Sequence, residues 1–329
     1  RQGIQSQPRQ LAQCPTIAAL AAVVHHDLDA GQGEVTTGPV PLSPIQSWFF
    51  EMEHPNPHHW NHSMLFELRP GYDPDVLTKA LGSVLQQHPS LHTRFYQDEA
   101  GNWRAEVVEP ASSLTVPVFG YQPSDVEAFE QKSLEVQTQL GLEHGPLFRA
   151  ARFVNEQGGP DRLLLAVHHL GIDAVAWRIL TDELEYAYAA IQRNREDQPT
   201  ADHTEYLGWL ASQETEAHHD QRVAELDFWV DQLSSDWPTD PSPVTPIVEA
   251  DIDVVRCELD AATTAALRFD ANDAYHTRVS DLLVAALAMA ISDWSGGVPE
   301  ARLMLEGHGR GTEEDEGDLA RGVGWFTCT

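Results

Sequence analysis

Cysteine, positive charge and long apolar runs are all scarce in this chain. Its three cysteines, Cys14, Cys257 and Cys328, stand far apart. They form neither a disulfide framework nor a zinc-site spacing, which fits a reducing, cytoplasmic compartment. Lys and Arg number 20 against 51 Asp and Glu, a formal net charge of −31. Nucleic acid and anionic membrane surfaces repel such a chain, so neither is an expected partner. Most of this charge reads as solvated surface, densest at Glu313, Glu314, Asp315, Glu316 and Asp318 in one expected surface loop. No apolar run reaches the ~20 residues that span a bilayer. The N-terminus lacks the charged-then-apolar order of a signal peptide. There is no glycine-rich phosphate loop and no Gly-x-Ser-x-Gly elbow, so covalent catalysis is not indicated.

What is present suggests more than one lobe. A chain of 329 residues with 42% hydrophobic content can fill real cores, and its length exceeds a usual single domain. It begins with Arg, which suggests a piece of something longer. Residues 15–24 read as a short helix, and 27–38 as a polar, glycine-rich linker. From Pro39 the pattern is mixed α and β. Asp73 and Pro74 open a helix with Val76, Leu77, Ala80, Leu81, Val84 and Leu85 on one face. Residues 91–96 and 103–108 predict one hairpin, and 147–154 with 162–167 a second. Helices are expected over 124–140, from Asp173 with Val175, Ile179, Leu180 and Leu184 inward, and over 204–233. Pro238, Pro241, Pro243 and Pro246 mark a boundary. Beyond it the pattern predicts a strand near 252–259, a helix capped by Asp260, a long helix over 278–294 and a strand over 302–305.

Two stretches carry chemistry. The first is His168-His169-Leu170-Gly171-Ile172-Asp173, with Trp177 close behind. Neighbouring strand residues face opposite ways, so one histidine is expected in the core and the other toward a cleft. Either one could be the cleft residue, where an imidazole can exchange protons near working pH. A pair of core histidines held by backbone groups is the plainer alternative. Asp173 is expected to be structural, as a helix cap or as one half of a buried ion pair. The second stretch is Glu306-Gly307-His308-Gly309-Arg310. A carboxylate beside a glycine loop can abstract or return a proton, and a surface turn is the plainer alternative. His54, His58, His59 and His62 also cluster, but Pro55 and Pro57 break any helix there, and no metal site is expected.

Together these stretches resemble the epimerization domains of nonribosomal peptide synthetases, within the condensation-domain superfamily. The resemblance also rests on Gly38-Pro-Val-Pro-Leu-Ser-Pro-Ile-Gln-Ser-Trp-Phe-Phe-Glu51, on His59-Trp60-Asn61 and on Val323-Gly-Trp-Phe-Thr327. Residues 1–25 are similar to the tail of a peptidyl carrier domain. The resemblance implies an α/β fold of mixed sheets, as two chloramphenicol-acetyltransferase-like lobes in a V shape with the active site in a tunnel between them. It divides the chain into a carrier tail (1–25), a linker (26–38), an N-terminal lobe (39–245) and a partial C-terminal lobe (246–329). Family members continue for roughly another hundred residues, so the second lobe is expected to be truncated. The implied reaction is inversion at the α-carbon of an aminoacyl or peptidyl thioester. That substrate rides on the 4'-phosphopantetheine of an upstream carrier domain in cis, with neighbouring synthetase modules as further partners. No directly bound cofactor is implied.

By the same resemblance Glu306 is a general acid/base, and His169, pointing into the cleft while His168 faces the interior, stabilises an enolate or moves the proton on the opposite face. Supporting roles fall to His168, Asp173, Trp177, Asn61, Gly307, His308 and Arg310. The arginine that usually pairs with the motif aspartate is His92 here, so Arg94 is expected to take that place. Ala176 stands where Ser is common, and residues 319–322 read Leu-Ala-Arg-Gly where Ser-Arg-Thr is more usual. A peptide-bond-forming condensation domain and an inactive carrier-docking fragment are the competing readings. The Glu306–Arg310 signature favours epimerization over condensation.

Overall fold

The computed structural model describes residues 37–194, 205–233, 253–297, 303–310 and 319–328. They fall into two compact units. One holds the described residues up to Val223 together with those from Glu306 onward, and the other lies within Ala224–Leu305. The expected helix at 15–24, the carrier tail and the acidic cluster at 313–318 lie outside the described residues.

The first unit is a mixed α/β structure with two sheets. Helix α1 (Pro44–Glu51) starts on a reciprocal cap, in which Ser43 Oγ accepts the Gln46 N–H and Gln46 Oε1 accepts the Ser43 N–H. Strand β1 (Gly38–Val40) pairs with β4 (Trp103–Val107), which pairs with β3 (Thr93–Gln97), all antiparallel. The β3–β4 hairpin closes round Asp98, whose carboxylate accepts the Ala100 and Asn102 N–H groups. The second sheet runs in the order β2 (Asn61–Glu67), β7 (Arg162–His168), β6 (Phe148–Asn155) and β5 (Val118–Tyr121). Only its β5–β6 pairing is parallel.

Strand β7 is buried from Leu163 to His168, because both faces of its sheet are covered. Leu163, Leu165 and Val167 pack with Leu77, Ala80, Leu81 and Val84 of α2 (Pro74–Gln87) and with Trp177 and Leu180 of α4 (Ala174–Gln192). Leu164 points the other way, toward Phe153, Tyr121 and Val136 of α3 (Val126–Gln137). Each fully buried Leu or Val contributes about 1.5–3 kcal/mol, so this double cover holds the end of β7 rigidly. Both expected hairpins, the Asp73 and Asp173 caps and the α2 apolar face are present. Helices α5 (Glu205–Ala217) and α6 (Asp220–Leu233) occupy the expected polar segment.

The second unit contains α7 (Ala261–Ala265) capped by Asp260, a π-helical turn (Ala266–Asp270), α8 (Ala271–Tyr275) and α9 (Val279–Trp294). Two expected strands are not formed. Residues 253–259 and 303–305 are extended or irregular and join no sheet among the described residues. A strand is stable only when its backbone groups find a neighbour, and apolar character alone does not supply one.

Candidate active site at the histidine loop

The site is built where β7 ends. The His168 N–H bonds to Leu147 O at 2.8 Å and the His169 N–H to Trp60 O at 2.8 Å, so the residues just before β6 and β2 clamp this strand end. The chain then makes one 3₁₀ turn (His169–Gly171) and enters α4 at Asp173. Gly171 permits the tight exit, since a Cβ there would sit 2.8 Å from Ser90 O.

His168 faces the interior and is fully buried. Its Nδ1 accepts the Leu170 N–H at 3.2 Å, and its Nε2 lies 2.8 Å from Pro57 O. A carbonyl can only accept, so Nε2 carries the proton and the ring is neutral. Burial lowers its pKa to about 4. His168 is therefore a structural pin between the 54–60 loop and the strand end.

His169 is half-buried. Its Nδ1 lies 2.8 Å from Ile172 O, so Nδ1–H donates and Nε2 keeps a lone pair in the neutral ring. That is the arrangement of an imidazole able to take a proton at Nε2. The ring is flanked by His62 at 4.0 Å and Trp325 at 4.4 Å between centroids. Burial, then the neighbouring His169, lowers the His62 pKa.

Asp173 does three things at once. Its Oδ1 caps α4 by accepting the Ala176 N–H at 2.8 Å. Its Oδ2 accepts the Phe326 N–H at 3.2 Å. Both oxygens receive the Arg310 fork, at 2.7 and 2.8 Å, with the two side chains almost fully buried. The guanidinium also lies 4.3 Å over the Phe326 ring. The expectation for Arg94 is therefore corrected. Arg94 pairs with Glu106 across the β3–β4 hairpin, at 2.6 Å, and its side chain is on the half-exposed face of that sheet. Strand pairing puts Glu106 directly opposite Arg94, which captures it before it can reach Asp173.

The Glu306–Arg310 stretch is tied to residues 325–328. Gly307 and Cys328 exchange backbone hydrogen bonds at 2.7 and 3.1 Å. Gly309 has φ +62°, and a Cβ there would lie 1.6 Å from Phe326 O. Only glycine fits, and this contact lets the backbone aim Arg310 at Asp173. His308 is exposed and its Nδ1 accepts the Arg310 N–H at 3.1 Å. Glu306 is exposed at the mouth of this turn, and no hydrogen bond joins it to His169. The structure thus brings His169, Asp173, Arg310 and Trp325 together, while among the described residues no hydrogen bond or ion pair ties the exposed Glu306 to them.

Trp177 lies in the core with α2 rather than beside His169, and Asn61 Nδ2 donates to Gln137 at the end of α3 at 2.7 Å. Among the described residues no three His, Cys, Asp or Glu side chains could hold a metal. His54 stacks with Phe49 and Trp60 instead, and His58 Nδ1 accepts the Leu142 N–H.

Sequence reasoning missed the buried supports. Gln46 Nε2 donates to Leu170 O at 2.9 Å and to Tyr206 Oη at 3.0 Å, joining α1 and α5 to the histidine loop. Burial pushes the Tyr206 phenol upward. His88 contacts Glu183 at 2.7 Å, and Arg321 donates to the other oxygen of that carboxylate at 2.9 Å. The Ser43-Pro-Ile-Gln46 capping pattern was a signal for Gln46. Nothing local announced the Glu183 network, because its members are 95 and 138 residues apart.

Known proteins share this architecture. A family model described as the condensation domain matches residues 36–329. Tyrocidine synthase 1 of Brevibacillus parabrevis is 32% identical over 97% of this chain, which spans 30% of that protein. Tyrocidine synthase 2 of the same organism is 31% identical over 97% of this chain, which spans 9% of that protein. The chain thus covers a minor part of the curated relatives it matches. Among solved structures, the epimerization domain from the third module of tyrocidine synthetase B superposes with TM-score 0.72 at 28% identity. That match covers 90% of this chain and 68% of the other. The first condensation domain of the calcium-dependent antibiotic synthetase superposes with TM-score 0.64 at 20% identity, over 88% and 68%, a likeness of fold alone.

Proposed function

Because the chain belongs to the condensation-domain family, with its chloramphenicol-acetyltransferase-like fold, we propose that it is an epimerization domain of a nonribosomal peptide synthetase. Its substrate is an aminoacyl or peptidyl thioester on the phosphopantetheine arm of a carrier domain, delivered from the upstream side. The observation that carries this reading is the Glu306–Arg310 signature locked onto the histidine motif by the Arg310–Asp173 fork. The 28% identity to a solved epimerization domain supports it.

An α-proton beside a thioester is weakly acidic, so its removal needs an aligned base and a stabilised enolate. His169 offers an Nε2 lone pair in a ring held by Ile172, His62 and Trp325. Glu306 offers an exposed carboxylate on the neighbouring turn. In this reading Glu306 exchanges the proton on one face. His169 either holds the enolate or serves the other face. Asp173, Arg310 and His168 position these groups without touching substrate.

The test is solvent deuterium uptake at the α-carbon of an aminoacyl group on a carrier domain, followed by chiral separation of the released amino acid. His169→Ala and Glu306→Gln are each expected to lower exchange by ~10²–10⁴-fold while the thermal melt is retained. Normal two-way inversion by Glu306→Gln would overturn the role of Glu306. A second reading, peptide-bond formation, is favoured by the family model itself. It predicts dipeptide product, and no inversion, when a second loaded carrier is supplied.

A further inference from the structure

A groove of about 990 Å³ lies in the first unit away from His169, between the second half of α2, the starts of β3 and β6, and the segment between β4 and β5. Its accessible apolar lining is Leu85, Leu114 and Ile191, with Leu91, Leu147 and Phe148 buried behind them. Arg149 on β6 also lines it. This side chain is half-buried, its Nε is buried without a hydrogen-bond partner, and burial lowers its pKa. Among the described residues it meets no carboxylate, although acidic residues outnumber basic ones 51 to 20. Lys79 of α2 lines the same groove, also without an ion pair among the described residues. Arg94 is there too but is held by Glu106. Glu109 and Glu143 line the groove and are exposed, so water screens them; His92 and His144 complete its titratable groups.

The Arg149 Nε is closed to water and unpartnered, so an anion in the groove would meet the terminal nitrogens of the guanidinium. Its flat fork suits a carboxylate. The partly exposed Leu85, Leu114 and Ile191 suit an aliphatic chain, and the volume lies at the upper end of small-molecule pockets. A bare phosphate would leave those side chains uncovered. We propose that this groove binds an aliphatic carboxylate, its head on Arg149 and Lys79 and its tail along Leu85, Leu114 and Ile191. The proposal does not depend on the reaction proposed above.

Decanoate is the probe, titrated calorimetrically into the full chain at low salt, with decanol as the uncharged control. Saturable single-site binding is expected, weakened roughly tenfold or more in Arg149→Gln and in decanol, and less in Lys79→Gln. A negative heat-capacity change should accompany it. No saturable binding, equal binding of decanol, or unchanged affinity in Arg149→Gln would each overturn the proposal. The last two results would mean adsorption to exposed apolar side chains such as those of α9. If Arg149→Gln loses its cooperative melt, the comparison of decanoate with decanol on the unaltered chain decides alone.

Discussion

Single residues divide here into those that hold the site and those placed to act. Arg310 belongs to the first group. It is buried, forked onto Asp173 and stacked on Phe326. Arg310→Ala would leave an uncompensated buried carboxylate, at a cost of about 3–5 kcal/mol, read as a lower urea midpoint. Arg310→Lys should recover only part of that loss, since a point charge cannot make the fork. His168 sets a pH dependence. Its folded pKa, about 4, lies below the ordinary 6.5. The unfolded chain therefore takes up the proton first, and stability falls as pH drops below the unfolded value. Between about pH 7 and pH 5 this one group removes about 2 kcal/mol. The burial-lowered His62 and His92 act in the same direction. Urea titrations at both pH values should show the loss, and His168→Asn should flatten it; an unchanged slope in that variant would refute the assignment.

Among the elements, the turn joining Gly307–Arg310 to residues 325–328 matters most. Gly309 combines a left-handed backbone with direct contact against Phe326 O. Gly309→Ala must therefore move the turn and withdraw Arg310 from Asp173. It should destabilise by at least as much as Arg310→Ala, and combining the two should cost much less than their sum. Additive losses in that double-mutant cycle would show that the turn and the fork are independent. Gly101→Ala is the comparison, because its φ of +82° is similarly left-handed but nothing lies within 4 Å of the added Cβ.

Over the whole molecule, the two units differ in kind. In the first, strands β6 and β7 are sealed between helices on both faces. None of residues 224–232, 253–297 and 303–305 is buried, and Leu283, Leu287, Met289 and Trp294 of α9 are exposed. Amide exchange tracks local opening, which buried apolar contacts oppose. Hydrogen–deuterium exchange should therefore protect β7 for far longer than α9. Comparable protection in the two elements would mean that α9 has a cover in solution.

What the sequence determined by itself was local. Side-chain alternation put one of the two adjacent histidines inward, Asp173 announced a helix start, and glycine and proline marked the turns, because each depends on a few neighbouring residues. The motif pair was legible for the same reason. The tertiary structure alone decided who meets whom. Arg94 lost Asp173 because Glu106 stood opposite it across a hairpin, while Arg310 reached the same carboxylate from 137 residues away. Of the strands expected at 252–259 and 302–305, the described residues join no sheet, since apolar content speaks for burial and only a paired neighbour makes a strand. Contacts over such separations depend on how the folded elements pack, and no short window of sequence contains that information.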